Sequence, residues 1–106
     1  MVFKCRFTEK AGQELEDILQ YISEDLCNVS AAASFGKKVF ENIDALCSFP
    51  ERGVLVQNDL VADKTVRRLV IDNYLLYYKI DETDSWIDIL RIVYGKMNLE
   101  EIYRQF

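Results

Sequence analysis

Apolar and polar residues alternate with a period of two at the start of the chain, in VFKCRF at residues 2–7, and this pattern predicts a first β-strand. The period then changes to that of a helix. Thr8 is placed to act as the N-cap, and Glu9 lies favourably in the first turn. The apolar stripe of this helix consists of Ala11, Leu15, Ile18, Leu19, Ile22 and Leu26.

A second amphipathic helix is predicted after a break at Asn28-Val29-Ser30, in which Ser30 can serve as the N-cap. This helix ends at Ser48-Phe49-Pro50, because proline cannot continue it. Its apolar stripe consists of Ala32, Phe35, Val39, Ile43 and Leu46. Two helices joined by so short a segment form a helical hairpin.

After the second helix, short runs rich in β-branched and aromatic residues replace the helical pattern. Strands are predicted at Val66–Ile71, Tyr74–Ile80 and Trp86–Tyr94. The turns between them, Asp72-Asn73 and Asp81–Ser85, are shorter than the crossover that parallel strands need. An antiparallel meander is therefore expected.

The segments on either side of this meander are less regular. Residues 54–56 predict a short extended piece, residues 57–64 a polar loop, and residues 98–105 a short C-terminal helix. The order is β-α-α-β-β-β with a helical tail, which is an α+β fold with the helical hairpin packed on one face of a small antiparallel sheet. The face of the sheet away from the helices is the place where tyrosines and arginines outside the core can be exposed, and the sequence does not indicate which tyrosines these are.

The composition is that of a single globular domain at residues 1–106. Half of the residues are hydrophobic and 29% are charged, and no linker or low-complexity tract divides the chain. No apolar run approaches the roughly 20 residues of a membrane span, and the first residues lack a signal-peptide pattern. A cytoplasmic location without membrane attachment is the expectation.

Cysteine and carboxylate spacing gives no sign of a metal site or cofactor. The three cysteines, Cys5, Cys27 and Cys47, have no CxxC spacing, and we expect them to be reduced and mostly buried thiols. A solvated turn, without the spacing of an EF-hand loop, is predicted for the carboxylates Asp81, Glu82, Asp84 and Asp88. No metal and no cofactor is therefore expected.

The net charge of −5 argues against a protein that coats nucleic acid through general basicity. The acidic excess lies in the first half of the chain. Residues 1–51 hold five Lys and Arg against nine Asp and Glu, whereas residues 52–106 hold eight against nine. A local basic patch in the second half remains open.

The chain contains no histidine, so proton transfer would fall to other groups. Motifs such as the P-loop and HExxH are absent. A basic and aromatic set remains on the predicted sheet and tail, where arginine can pair with phosphate and tyrosine can stack on unpaired bases. Its candidates for binding RNA or another target are Arg67, Tyr74, Tyr78, Arg91, Tyr94 and Arg104. Composition alone favours structural roles in the sheet for these side chains over functional ones.

Four stretches in order resemble the RelE/ParE superfamily of bacterial type II toxins. They are FTEKAGQELEDILQYI, FGKKVFENIDALCSFPERG, RRLVIDNYLLYYKIDE and IDILRIVYGKMNLEEIY, which together cover nearly the whole chain. The resemblance implies the same α+β fold and a cognate antitoxin that wraps the toxin in a hetero-oligomer. It implies one of two activities, which are metal-independent cleavage of mRNA on the ribosome in RelE-like members and poisoning of DNA gyrase in ParE-like members.

The resemblance carries three catalytic residues over to this chain. Arg68 falls where nuclease members carry a basic residue before the hairpin turn, Lys96 follows the glycine of the tail motif, and Tyr103 falls at the position of the tail tyrosine. Leu75 and Met97 stand where those members carry basic residues. Arg68, Lys96 and Tyr103 favour ribosome-dependent mRNA cleavage, whereas Leu75 and Met97 disfavour it. Ribosome-dependent mRNA cleavage is the first hypothesis. Gyrase inhibition and a degenerate member that only binds its antitoxin are the alternatives.

Overall fold

The computed structural model describes residues 2–106 and confirms the predicted α+β arrangement. In chain order the elements are β1 (Lys4–Phe7), α1 (Glu9–Gln20), α2 (Val29–Ser48), β2 (Val54–Leu55), β3 (Arg67–Ile71), β4 (Tyr74–Asp81), β5 (Trp86–Tyr94) and α3 (Leu99–Tyr103). A single π-helical turn at Tyr21–Asp25 extends α1, and a 3₁₀ turn at Pro50–Arg52 follows α2. No helix among these residues is long and apolar enough to cross a membrane.

The five strands form one sheet in the order β1-β5-β4-β3-β2. Strands β3, β4 and β5 are antiparallel neighbours, as the short turns predicted. Strand β2 adds to β3 in the antiparallel sense, and β1 pairs in parallel with β5. The helical hairpin belongs to the long connection between β1 and the meander. One irregularity interrupts the β4–β5 ladder, because Tyr77 pairs with Arg91 while Tyr78 pairs with Ile89, leaving Leu90 as the extra residue.

Each long helix begins at a side-chain cap. Thr8 accepts a hydrogen bond from the Ala11 amide at 3.1 Å, as predicted. The prediction of Ser30 as the second cap is wrong. Asn28 takes this role by accepting from the Ala31 amide at 2.9 Å, so the helix begins at Val29 and encloses Ser30 in its first turn.

The sheet has a hydrophobic core on each face. The core beneath the helices, here called the hairpin-side core, contains Ala11, Leu15, Phe35, Val39, Ile43, Leu46, Ile71, Leu76, Tyr78, Ile87, Ile89 and Ile92. The core on the opposite face, here called the tail-side core, contains Val56, Val61, Val66, Leu75, Tyr77, Val93, Ile102 and Tyr103.

The tail-side face of the sheet, which offers the place for exposed tyrosines and arginines, is covered. The loop before β3 and the C-terminal segment both pack on it, and they meet where the Asp63 amide donates to the Phe106 carbonyl at 2.8 Å. The loop read as polar therefore contributes the fully buried Val61. Isolated apolar residues in a polar stretch allow such a loop to serve as a lid on the sheet.

Candidate functional site

A row of three side chains crosses the centre of the sheet. Tyr77 on β4 is paired with Arg68 on β3 and with Arg91 on β5. Side chains of paired residues share one face, which here is the tail-side face. The row brings together Arg68 and Arg91, which are predicted site residues, with Tyr77, which is not among the predicted site residues.

Tyr103 closes over this row from α3. The Tyr77 hydroxyl donates to the Tyr103 hydroxyl at 3.1 Å, and both tyrosines are buried. The rings meet edge-on with centroids 5.8 Å apart, and Phe106 packs on Tyr77 at 5.3 Å. Burial, and then the hydrogen bond with Tyr103, raises the pKa of Tyr77 well above its ordinary value, although the nearby Arg68 acts in the opposite direction. A phenol in this setting keeps its proton at neutral pH.

Arg91 has its charge balanced within the protein. Its Nε and Nη2 donate to the two carboxylate oxygens of Glu14 at 2.9 Å each, and its Nη1 donates to Gln105 at 2.7 Å. Glu14 also accepts from the Ile92 amide at 3.2 Å. This bidentate pair joins α1, β5 and the C-terminus. The guanidinium of Arg91 is therefore engaged in contacts within the protein.

The other predicted cations lie in different settings. Arg68 is half-buried, and its Nε is buried without a hydrogen-bond partner among residues 2–106. Lys96, in the turn after β5, and Arg104, just after α3, are exposed. The structure gives no contact that brings Lys96 or Arg104 to the row of Arg68 and Tyr77.

Arg67 and Tyr78 hold the 3₁₀ turn against the sheet. Arg67 donates to the carbonyl of Gly53 at 2.8 Å. The Tyr78 hydroxyl donates to the Pro50 carbonyl at 2.7 Å and accepts from the Gly53 amide at 2.8 Å. Burial raises the pKa of Tyr78. These contacts describe a structural anchor.

Tyr74 and Tyr94 line an apolar groove on the other side of the molecule. Their rings lie 5.6 Å apart, and Tyr74 also packs against Phe35 at 4.9 Å. The groove has a volume of about 810 Å³ and runs between the helical hairpin and the ends of β4 and β5. Its exposed apolar and aromatic side chains are Tyr21, Leu26, Tyr94 and Met97, and the exposed polar residues Asp17, Asp72 and Asn73 also line it.

The sequence pattern did not identify this groove. The apolar stripe of the first helix includes Leu26 and predicts its burial, but Leu26 is 56% exposed because the helix changes to a π-helical turn before this residue. The one local signal was a tyrosine, Tyr21, next to that stripe. No periodicity links these residues to Tyr94 and Met97, since only the tertiary fold brings them together.

A comparison of the chain with known families decides its membership. The family described as the ParE toxin of the type II toxin-antitoxin system, parDE, matches residues 5–99. The chain belongs to this family. It is thus a type II toxin of the RelE/ParE superfamily. No curated protein sequence matches the chain.

Solved toxin structures share the fold at low sequence identity. The chromosomal ParDE system of P. aeruginosa contains a chain that is 18% identical, with a TM-score of 0.71 over 90% of this chain and 98% of that one. The RelBE2 complex of Mycobacterium tuberculosis gives 22% identity and a TM-score of 0.62 over 89% and 99%. The free E. coli RelE double mutant gives 11% identity and a TM-score of 0.63 over 99% and 96%. This similarity concerns the fold.

Proposed function

We propose that this toxin arrests growth by binding DNA gyrase, as ParE-like members do, rather than by cleaving mRNA. The observation that carries the proposal is the hydrogen bond between the buried hydroxyls of Tyr77 and Tyr103. A tyrosine that transfers a proton to a leaving 5′-oxygen must reach the substrate. Tyr103 instead packs into the tail-side core.

The distribution of charge supports the same conclusion. Cleavage through a 2′-hydroxyl creates extra charge on the phosphate, and preorganised cations normally stabilise it. Arg91 is neutralised by Glu14, and Leu75 and Met97 supply apolar groups where nuclease members carry cations. A toxin that works by binding needs no such cluster, and the net charge of −5 suits a protein target better than ribosomal RNA.

We further propose that the cognate antitoxin inserts an apolar segment into the groove between the helical hairpin and the end of the meander. The tail-side face of the sheet is already covered, whereas the groove exposes Tyr21, Leu26, Tyr94 and Met97. Burying such a patch is the usual reason for a helix or strand to dock. Toxin and antitoxin would then form a cytoplasmic hetero-oligomer.

One observation favours mRNA cleavage as the second candidate. The Nε of Arg68 is buried without a partner among residues 2–106, and a phosphate oxygen would satisfy it once the covering segment moves away. Lys96 and Arg104 are exposed and able to contact RNA. In this alternative Arg68 and Lys96 bind the phosphate, and Tyr103 becomes accessible only after the tail moves.

Induction of the toxin without antitoxin separates the candidates. We expect thymidine incorporation to fall before methionine incorporation, and purified gyrase to lose supercoiling activity in proportion to added toxin. An early loss of methionine incorporation with mRNA cut at ribosomes would support the nuclease instead. If neither synthesis falls while the toxin still binds its antitoxin, the chain is a degenerate member. Arg68→Ala is the matched variant, because it should relieve arrest only in the nuclease case.

A further inference from the structure

Two of the three cysteines form a thiol pair outside the surfaces described above. Cys5 lies on β1 and Cys47 in the last turn of α2, 42 residues apart in the chain. Their Sγ atoms are 2.7 Å apart. This is only about 0.7 Å longer than the roughly 2.05 Å of a disulfide bond. Only a small movement of the two side chains is needed to bring the sulfur atoms to bonding distance.

Backbone hydrogen bonding already holds the two segments that carry Cys5 and Cys47 next to each other. The Phe3 amide donates to the Cys47 carbonyl at 2.9 Å, and the Cys5 thiol also lies 3.5 Å from the Ile43 carbonyl. Strand β1 and the end of α2 are therefore held together before any covalent bond forms. Both cysteines are half-buried, so a small oxidant can reach them while a protein thiol cannot easily do so.

We propose that Cys5 and Cys47 are a modification site at which hydrogen peroxide closes an intramolecular disulfide that locks β1 to α2. The expectation of burial is wrong for Cys27, which is a free thiol but is exposed and lies in neither element. The proposal does not depend on the target of the toxin. It adds a covalent state that changes how firmly the N-terminal strand is held.

The chemistry balances with peroxide as the two-electron oxidant. Peroxide oxidises one sulfur of the pair to a sulfenic acid and is reduced to water. The other sulfur then attacks the oxidised one, which forms the S–S bond and breaks the S–O bond. The thiol proton of the attacking cysteine leaves with the departing hydroxide as a second water.

The environment of Cys5 reflects how closely the two sulfurs approach each other. Burial, followed by the hydrogen bond with Cys47, raises the pKa of Cys5 to about 12. Cys5 is therefore protonated at neutral pH, and thiols react with peroxide as thiolates. Direct attack of peroxide on Cys5 is therefore slow.

Peptide mapping tests the proposal on the wild-type chain. After peroxide treatment of the purified toxin–antitoxin complex, free thiols are alkylated and the protein is digested with trypsin. Cleavage at lysine and arginine places Cys5, Cys27 and Cys47 on three different peptides. We expect a linked pair made of Cys5-Arg6 and residues 39–52, which disappears on reduction, while the peptide with Cys27 is recovered separately.

Two variants and a melting curve complete the test. Cys27→Ser should form the same linked peptide, and Cys47→Ser should form none. The closed loop restricts the unfolded chain, so the oxidised protein should melt roughly 10 °C higher than the reduced one. Recovery of alkylated or over-oxidised Cys5 and Cys47, crosslinks between chains through Cys27, or linkage without a rise in Tm would each overturn the proposal.

Discussion

The hydroxyl of Tyr77 donates to the hydroxyl of Tyr103 at 3.1 Å, which ties α3 to the centre of the sheet. Because both tyrosines are buried, we expect Tyr103→Phe to lower the free energy of unfolding by about 1–2 kcal/mol through the unpaired Tyr77 hydroxyl. The double variant Tyr77→Phe with Tyr103→Phe should cost less than the sum of the two single changes. Urea unfolding of the four proteins measures this coupling.

The same variant bears on function. If the toxin acts by binding, Tyr103→Phe should still arrest growth, because it removes one oxygen from a packed core and nothing from the surface. A folded Tyr103→Phe protein that no longer arrests growth would contradict the gyrase proposal and favour mRNA cleavage.

The pair of Arg91 and Glu14 should be a major determinant of stability. Their side chains are only 10% and 18% exposed, and removing one partner leaves a buried charge uncompensated. We expect Glu14→Gln to lower the free energy of unfolding by about 3 kcal/mol. The matched control is Glu41→Gln, which breaks a pair with Lys37 whose side chains are 63% and 78% exposed. That change should cost less than about 0.5 kcal/mol.

Two glycines should respond to alanine in opposite directions. A Cβ at Gly53 would lie 2.7 Å from the Tyr78 hydroxyl and 2.8 Å from the Arg68 carbonyl, so Gly53→Ala must displace the 3₁₀ turn. A Cβ at Gly12, inside α1, meets nothing within 4 Å. Thermal melts should show a lower Tm for Gly53→Ala and a gain of about 0.5–1 kcal/mol for Gly12→Ala. Equal Tm values for the two variants would show that the turn accommodates the extra methyl group.

The buried phenols should make the fold sensitive to alkali. Burial raises the pKa of Tyr74, Tyr77 and Tyr78 above the ordinary value of 10.0. The folded protein therefore holds these protons more tightly than the unfolded chain, so their stabilisation is complete below pH 10 and is lost as the pH rises further. Tyrosinate absorbance should lag behind that of free tyrosine and then rise together with unfolding. Full ionisation before any loss of circular dichroism would contradict this.

Much of the fold follows from local patterns. Thr8 caps α1 as expected, Pro50 ends α2, and the two short turns around β4 give the antiparallel meander. These features depend on residues a few positions apart. The sequence does not predict that Asn28 rather than Ser30 is the N-cap of α2, because both residue types suit this role. The backbone geometry decides between them.

The candidate site was harder to predict, because its properties arise from long-range contacts. The residues near Arg91 in the chain do not indicate that Glu14, 77 positions away, is its partner. The sequence therefore does not predict that Arg91 forms an internal ion pair. The sequence predicts Tyr103 as a site residue only through the resemblance, and its burial depends on the tail folding over Tyr77. Tyr74 and Tyr94, by contrast, lie in a groove open to a partner.

The groove makes a direct prediction about the antitoxin. Leu26 is 56% exposed at its rim, so Leu26→Glu should leave the fold intact while placing a charge where an apolar segment docks. Antitoxin affinity should fall at least tenfold, as for an interface residue worth about 2 kcal/mol. Val70→Glu is the matched control, since Val70 is 62% exposed on β3 and lies outside the groove. Binding measured by calorimetry should be unchanged in this control. If Val70→Glu weakens binding and Leu26→Glu does not, the antitoxin docks at the β3 edge of the sheet and the groove is left for another partner.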